Sequence, residues 1–277
     1  MPELPEMQAL AERLDELLRG AKVKRVLPLS FSSLRTYDPP ATDLEGMILQ
    51  QVTKRGKYLV FRFEGAQLLV HLSQSGRVDV EPTPKATKPK GAVARFIFDD
   101  RPALLIKEFG TERKVAWWVL PLGEDGPLHD LGPEAGSEEY DRWVMTGTDN
   151  RRLNTALRDQ RTVAGIGRGF SDDILHAARV SPFAKLSGLT EEERRRLVEA
   201  TERVIEEALK KERKRTGGLP AKLGDRFTVH RRFGQPCPRC ETTLERVSYE
   251  SHEIVYCPEC QTEGKILADR RMSRLLR

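Results

Sequence analysis

No cysteine stands before position 237, and no apolar run approaches the ~18 residues that a helix needs to cross a bilayer. The first absence removes a disulfide framework from most of the chain and favours a reducing compartment. The second removes a helical membrane anchor. The opening residues also lack the profile of a leader: Glu3, Glu6, Glu12, Asp15 and Glu16 fit neither a secretory signal nor a mitochondrial presequence. No internal repeat is present. A cytoplasmic monomer is the expectation.

What is present begins with charge. The 277 residues are 32% charged with a net charge of +5, and 38% are hydrophobic. That length suggests about two domains with real cores. The positive balance suits an anionic partner, most often nucleic acid. Leu4, Met7, Leu10, Leu14, Leu17 and Leu18 recur at helical spacing up to Gly20, which predicts a helix over 4–18. Short β-rich runs follow at 23–28, 57–63, 67–72, 93–98, 103–106 and 114–120, separated by turn residues. The texture then becomes helical at 137–146, 151–160, 171–179 and 190–214, the last opening with Thr190 and Glu193 as a capping box. The expected class is α+β. A β-sandwich with a leading helix takes 1–122, a helical domain 123–227, and a hairpin with a basic tail 228–277.

Cys237-x2-Cys240 and Cys257-x2-Cys260 are the strongest motif. Two thiolate knuckles at this spacing close a tetrahedron around one structural Zn²⁺, and four thiolates leave no open position for catalysis. Just before them, residues 210–232 hold nine Lys or Arg against Glu212 and Asp225, a patch suited to phosphate. Arg270, Arg271, Arg274 and Arg277 add a basic tail.

The first six residues, Met1-Pro2-Glu3-Leu4-Pro5-Glu6, admit two readings. Proline and glutamate suit a helix start. Alternatively, removal of Met1 leaves Pro2 as a secondary amine with a pKa of roughly 8. Such an amine attacks a sugar carbon to give an iminium, and Glu3 and Glu6 stand ready to move protons.

Several further motifs occur in order: Arg55-Gly56-Lys57-Tyr58-Leu59, His71-Leu72 with Ser75-Gly76, Phe109-Gly110, Leu131-Gly132-Pro133-Glu134, Asp159-Gln160, and Val163-Ala164-Gly165-Ile166-Gly167. With Pro2-Glu3-Leu4-Pro5-Glu6 and the four cysteines, the chain resembles the formamidopyrimidine-DNA glycosylase / endonuclease VIII family along its whole length. The resemblance implies a β-sandwich, a helix-two-turn-helix domain and a zinc-finger hairpin. Double-stranded DNA carrying a damaged base or abasic site would lie in the cleft between the two domains. It implies that Pro2 attacks C1′ of a flipped nucleotide, with β,δ-elimination to follow. Glu3 would be the proton carrier, Glu6 its support, Lys57 a catalytic or phosphate-gripping lysine, and His71 a phosphate contact. A nucleoid-associated base-excision repair enzyme is the expectation.

The chain departs from that family where bases are read. Gln74 replaces a methionine, and Lys107-Glu108-Phe109 replaces arginine-arginine-phenylalanine, leaving Phe109 as an apolar wedge. Arg168 replaces a phosphate-gripping asparagine, and His252 replaces a phosphate-binding arginine. Oxidised pyrimidines, ring-opened purines, bulky adducts and abasic sites all stay open as substrates. Two other readings also stay open: a non-catalytic damaged-DNA-binding protein on the same scaffold, and a zinc-ribbon module behind an unrelated front domain.

Overall fold

The computed structural model describes residues 1–84, 86–249 and 252–267. The expected basic tail of Arg270, Arg271, Arg274 and Arg277 lies outside the described residues. The chain divides into two compact units, Met1–His129 with Leu209–Gly224, and Asp130–Ala208 with Asp225 onward.

In the first unit, helix α1 (Leu4–Leu18) buries Met7, Leu10, Leu14 and Leu18 completely. Each of these side chains contributes roughly 1.5–3 kcal/mol of burial, far more than the helix's own propensity. Strands β1 (Val23–Pro28), β2 (Leu49–Arg55), β3 (Tyr58–Phe63), β4 (Ala66–His71), β5 (Gly76–Glu81), β6 (Ala92–Phe98), β7 (Ala103–Glu108) and β8 (Ala116–Pro121) form two antiparallel sheets. Their orders are β1-β6-β7-β5 and β2-β3-β4-β8. One core joins α1 to both sheets through Leu59, Phe61, Phe96, Leu104 and Trp117. Phe96 and Trp117 meet edge to face at 5.6 Å, the favoured aromatic geometry. The outer edge of β5 is covered rather than bare: Leu219 N–H donates to Val78 C=O at 2.7 Å, and the Arg77 guanidinium donates to the Pro220 and Ala221 carbonyls.

The second unit holds α2 (Glu138–Thr146), α3 (Leu153–Arg158), α4 (Arg168–Ala178) and α5 (Glu191–Glu212), then a hairpin of β9 (Glu245–Ser248) and β10 (Glu253–Tyr256), and the short α6 (Pro258–Thr262). From Leu209 onward α5 belongs to the first unit. Its start is the expected capping box: Thr190 N–H donates to Glu193 Oε2 at 2.8 Å, and Glu193 N–H returns to Thr190 Oγ1 at 3.2 Å. Buried Tyr140 and Thr201 hydroxyls pair at 2.7 Å across α2 and α5. No described helix is long and apolar enough to cross a membrane.

Candidate active site and metal centre

Helix α1 starts on the N-terminal motif itself. Glu3 is its N-cap, and its backbone N–H donates to Glu6 Oε2 at 2.7 Å while its own carboxylate takes the Glu6 backbone N–H. Glu3 and Glu6 are 3% and 1% exposed, and Pro2 is buried beside them under a half-exposed Met1. Serine, threonine or asparagine would cap the helix without burying a charge, and glutamate is not a favoured N-cap. The helix start therefore explains Glu6, the usual capping-box residue, but not the choice of glutamate at position 3.

Lys57 occupies the two-residue turn between β2 and β3, where Arg55 pairs with Tyr58. The other turn residue, Gly56, has φ +55°, a backbone that glycine adopts without strain. Lys57 is only 5% exposed, so it is not an ordinary surface lysine. His71, at the end of β4, faces Tyr58 across the sheet with ring centroids 4.7 Å apart. Burial, with the nearby Lys57 charge second, pushes His71 down from 6.5 to about 4. At neutral pH it is a hydrogen-bonding group and carries no charge.

Gln74 is exposed in the β4–β5 turn, and Phe109 is 57% exposed just past β7. The two are presented together, because Phe109 N–H donates to Ser75 C=O at 3.2 Å. Lys107 is instead engaged in an ion pair with Asp79. Glu108 points inward at 3% exposure, and its Oε1 accepts the N–H groups of Lys114 at 2.6 Å and Val115 at 3.0 Å. It thus closes the loop that carries Phe109. The only trace of this brace in the sequence is an acidic residue at the end of an apolar strand.

In the second unit, Arg168 is exposed in the first turn of α4. The turn ahead of it is tied by Gln160, whose side chain donates to Ile166 C=O at 2.7 Å and accepts from Gly165 N–H at 3.0 Å. A Cβ on Gly169 would lie 2.1 Å from the Phe227 ring, so only glycine fits there. His252 stacks on Tyr249 at 4.6 Å, and Tyr249 Oη accepts from Arg152 at 3.0 Å. Burial and then the Arg158 and Arg168 charges push His252 down to about 4. The structure thus places His252, uncharged at neutral pH, close to the charges of Arg158 and Arg168. The basic run before the hairpin is less free than its composition suggested. Arg213 pairs with Glu12, Arg215 with Glu212, and Arg232 with Asp225.

Cys237, Cys240, Cys257 and Cys260 bring their four Sγ atoms within 4.8 Å of one another, and none forms a disulfide. Sγ–Sγ separations of 3.4 Å for Cys240–Cys257 and 4.0 Å for Cys237–Cys260 bracket the S···S edge of about 3.8 Å that Zn–S bonds of about 2.3 Å require. The donor set therefore fits a closed tetrahedral metal site. Behind it lies a buried polar cluster that sequence reasoning missed. Asp173 accepts the N–H groups of Thr228, Val229 and His230, and Asp172 pairs with His230 Nδ1 at 2.7 Å. Burial, partly offset by His230, raises Asp172 to about 6.

Comparison with known proteins follows the same lines. The family model for the formamidopyrimidine-DNA glycosylase N-terminal domain matches residues 1–116, and that for the H2TH domain matches 131–217. The first match leaves no room for an unrelated front domain. Formamidopyrimidine-DNA glycosylase of Thermus thermophilus is 33% identical over 279 residues, covering 95% of this chain and all of the relative. That of Symbiobacterium thermophilum is also 33% identical, covering 98% and 93%. A formamidopyrimidine-DNA glycosylase-like protein of Mycobacterium tuberculosis is 41% identical but covers only 53% of this chain. The crystal structure of the MutM protein from Thermus thermophilus superposes with a TM-score of 0.80 at 32% identity, covering 95% of this chain and all of that one. The Lactococcus lactis enzyme, bound non-covalently to DNA containing an abasic site, shares the fold with a TM-score of 0.82 at 21% identity, covering 94% and 99%.

Proposed function

Because the chain belongs to the formamidopyrimidine-DNA glycosylase family, we propose that it is a bifunctional DNA glycosylase and abasic-site lyase with Pro2 as its nucleophile. The observation that carries this reading is the pair of buried carboxylates, Glu3 and Glu6, at the start of a helix that a smaller residue would cap better.

With Met1 removed, the Pro2 nitrogen attacks C1′ of the damaged nucleotide. The N-glycosidic bond breaks and the base leaves with a proton. The nitrogen lone pair then expels O4′, the C1′–O4′ bond opens, O4′ takes a proton from Glu3, and a C1′ iminium results. The iminium acidifies C2′–H. Loss of that proton and departure of the 3′ phosphate complete β-elimination, and loss of the 5′ phosphate completes δ-elimination. Glu3 carries protons to and from the sugar, and Glu6 holds the Glu3 backbone in place. Lys57 supplies fixed positive charge near the phosphates, and neutral His71 donates or accepts a hydrogen bond there. Gln74 and Phe109 fill the gap left by the flipped base, with Phe109 as the wedge. Arg168 and His252, with Arg158, grip phosphate from the second unit, where the positive end of α4 adds to the attraction. The tetrathiolate site holds one Zn²⁺ that shapes the hairpin and does no chemistry. The partner is double-stranded DNA with a damaged base or abasic site, and the protein acts as a monomer on the nucleoid.

A Glu3→Gln variant tests the reading. It is expected to bind abasic-site duplex as the parent does and to cut it at least about 100-fold more slowly, the usual scale for losing a positioned acid–base group. Salt-sensitive binding by the parent without any cutting of a lesion panel would favour the non-catalytic reading, to which the engaged Lys107 and inward Glu108 lend some support.

A further inference from the structure

Helix α4 contributes one side chain to the metal centre that the cysteine pattern does not announce. His176 Nε2 lies 3.2 Å from Cys237 Sγ, and the two residues are 3% and 1% exposed. The imidazole is not a fifth ligand, because the four cysteines alone form the cluster of ligand atoms. A Zn²⁺ held by four thiolates carries a net charge of −2, and hydrogen bonds to sulfur relieve that excess in a dry site. Backbone N–H groups supply some of them: Arg239 to Cys237 Sγ at 3.5 Å and Cys260 to Cys257 Sγ at 3.4 Å.

We propose that His176 donates from Nε2–H to the metal-bound Cys237 thiolate, so that α4 and the metal module form one unit. Both knuckles reach back to the same helix end. Arg239 donates to the His176 carbonyl at 3.0 Å and to the Ala177 carbonyl at 3.3 Å. Gln261 accepts from Cys257 N–H at 2.9 Å and donates to Val180 C=O at 2.9 Å. An apolar residue at 176 would fill the same space without a bond to sulfur. His176 is thus a positioning residue for the metal, joining it to the helix whose first turn carries Arg168.

The inference rests on the zinc assignment and not on the glycosylase assignment. The parent chain loaded with Co²⁺ first establishes the metal reading by the spectrum of a tetrahedral four-thiolate site. Two variants then test His176. His176→Met keeps apolar bulk and removes the donor. Its thiolate-to-cobalt bands are expected at lower energy, and its zinc affinity against a chelating dye is expected to fall about 10–100-fold. His176→Gln keeps an N–H near the Nε2 position and is expected to hold both the spectrum and the affinity of the parent. Parent-like behaviour of His176→Met, or equal losses in the two variants, would overturn the proposal. If His176→Met does not fold, His176→Gln decides alone: a shifted spectrum contradicts the assignment and a parent-like one supports it.

Discussion

Glu108 acts as an internal brace for the loop that follows β7. In this chain the position holds a buried carboxylate whose Oε1 accepts two backbone N–H groups, from Lys114 and Val115. Its neighbour Lys107 is bound to Asp79. Lys107 thus commits its charge to Asp79 and Glu108 turns inward, and in the proposed function Phe109 and Gln74 remain to meet the bases. Glu108→Ala leaves both N–H groups without their acceptor, and for the buried Val115 N–H the cost is about 1–3 kcal/mol. The expected result is a lower urea midpoint and faster amide exchange at Lys114 and Val115. Unchanged exchange at those amides would show that the loop holds without its brace. Glu3 and Glu6 could be singled out in the sequence because their spacing from Pro2 has chemical meaning. Glu108 and His176 could not, because their roles depend on backbone N–H groups and a thiolate that only the fold brings near.

At the scale of elements, the sequence was most legible where burial is one-sided. Helix α1 and strand β1 match their expected spans of 4–18 and 23–28, since each has a clear apolar pattern. Strands β2 and β5 were missed. Leu-Gln-Gln-Val-Thr-Lys-Arg buries only Leu49 and Val52, and Gly-Arg-Val-Asp-Val-Glu owes its place to ladder bonds with β7 and to the strap at Leu219. The cysteine motif was legible because ligand spacing is itself the signal. The helix beneath it was expected, but not its use: Asp172, Asp173 and His176 all turn toward the hairpin segment. Zinc removal by a chelator is therefore expected to raise amide exchange in α4 as well as in the hairpin, while the sandwich strands keep their protection. Loss of protection confined to residues 237–260 would contradict that coupling.

For the whole molecule, protonation links the site to stability. His71 titrates near 4 in the folded chain and near 6.5 when unfolded. Between those values the unfolded state binds the proton first, so stability is full above about 6.5 and is lost as pH falls toward 4. Asp172, raised to about 6, works in the opposite sense, since the folded state holds a proton that the unfolded state releases. The His71 contribution can be isolated by substitution: the fall in melting temperature between pH 7 and pH 5 is expected to be smaller in His71→Gln than in the parent. An identical fall in both would remove His71 from the account.

The central claim is that the nitrogen of Pro2 forms a covalent bond to deoxyribose. Borohydride added during reaction with an abasic-site duplex should trap one protein–DNA adduct, and peptide mass spectrometry should find the reduced sugar on an N-terminal Pro2 with Met1 absent. Trapping on a lysine such as Lys57, or no trapping by protein whose N-terminus is verified as Pro2, would contradict it.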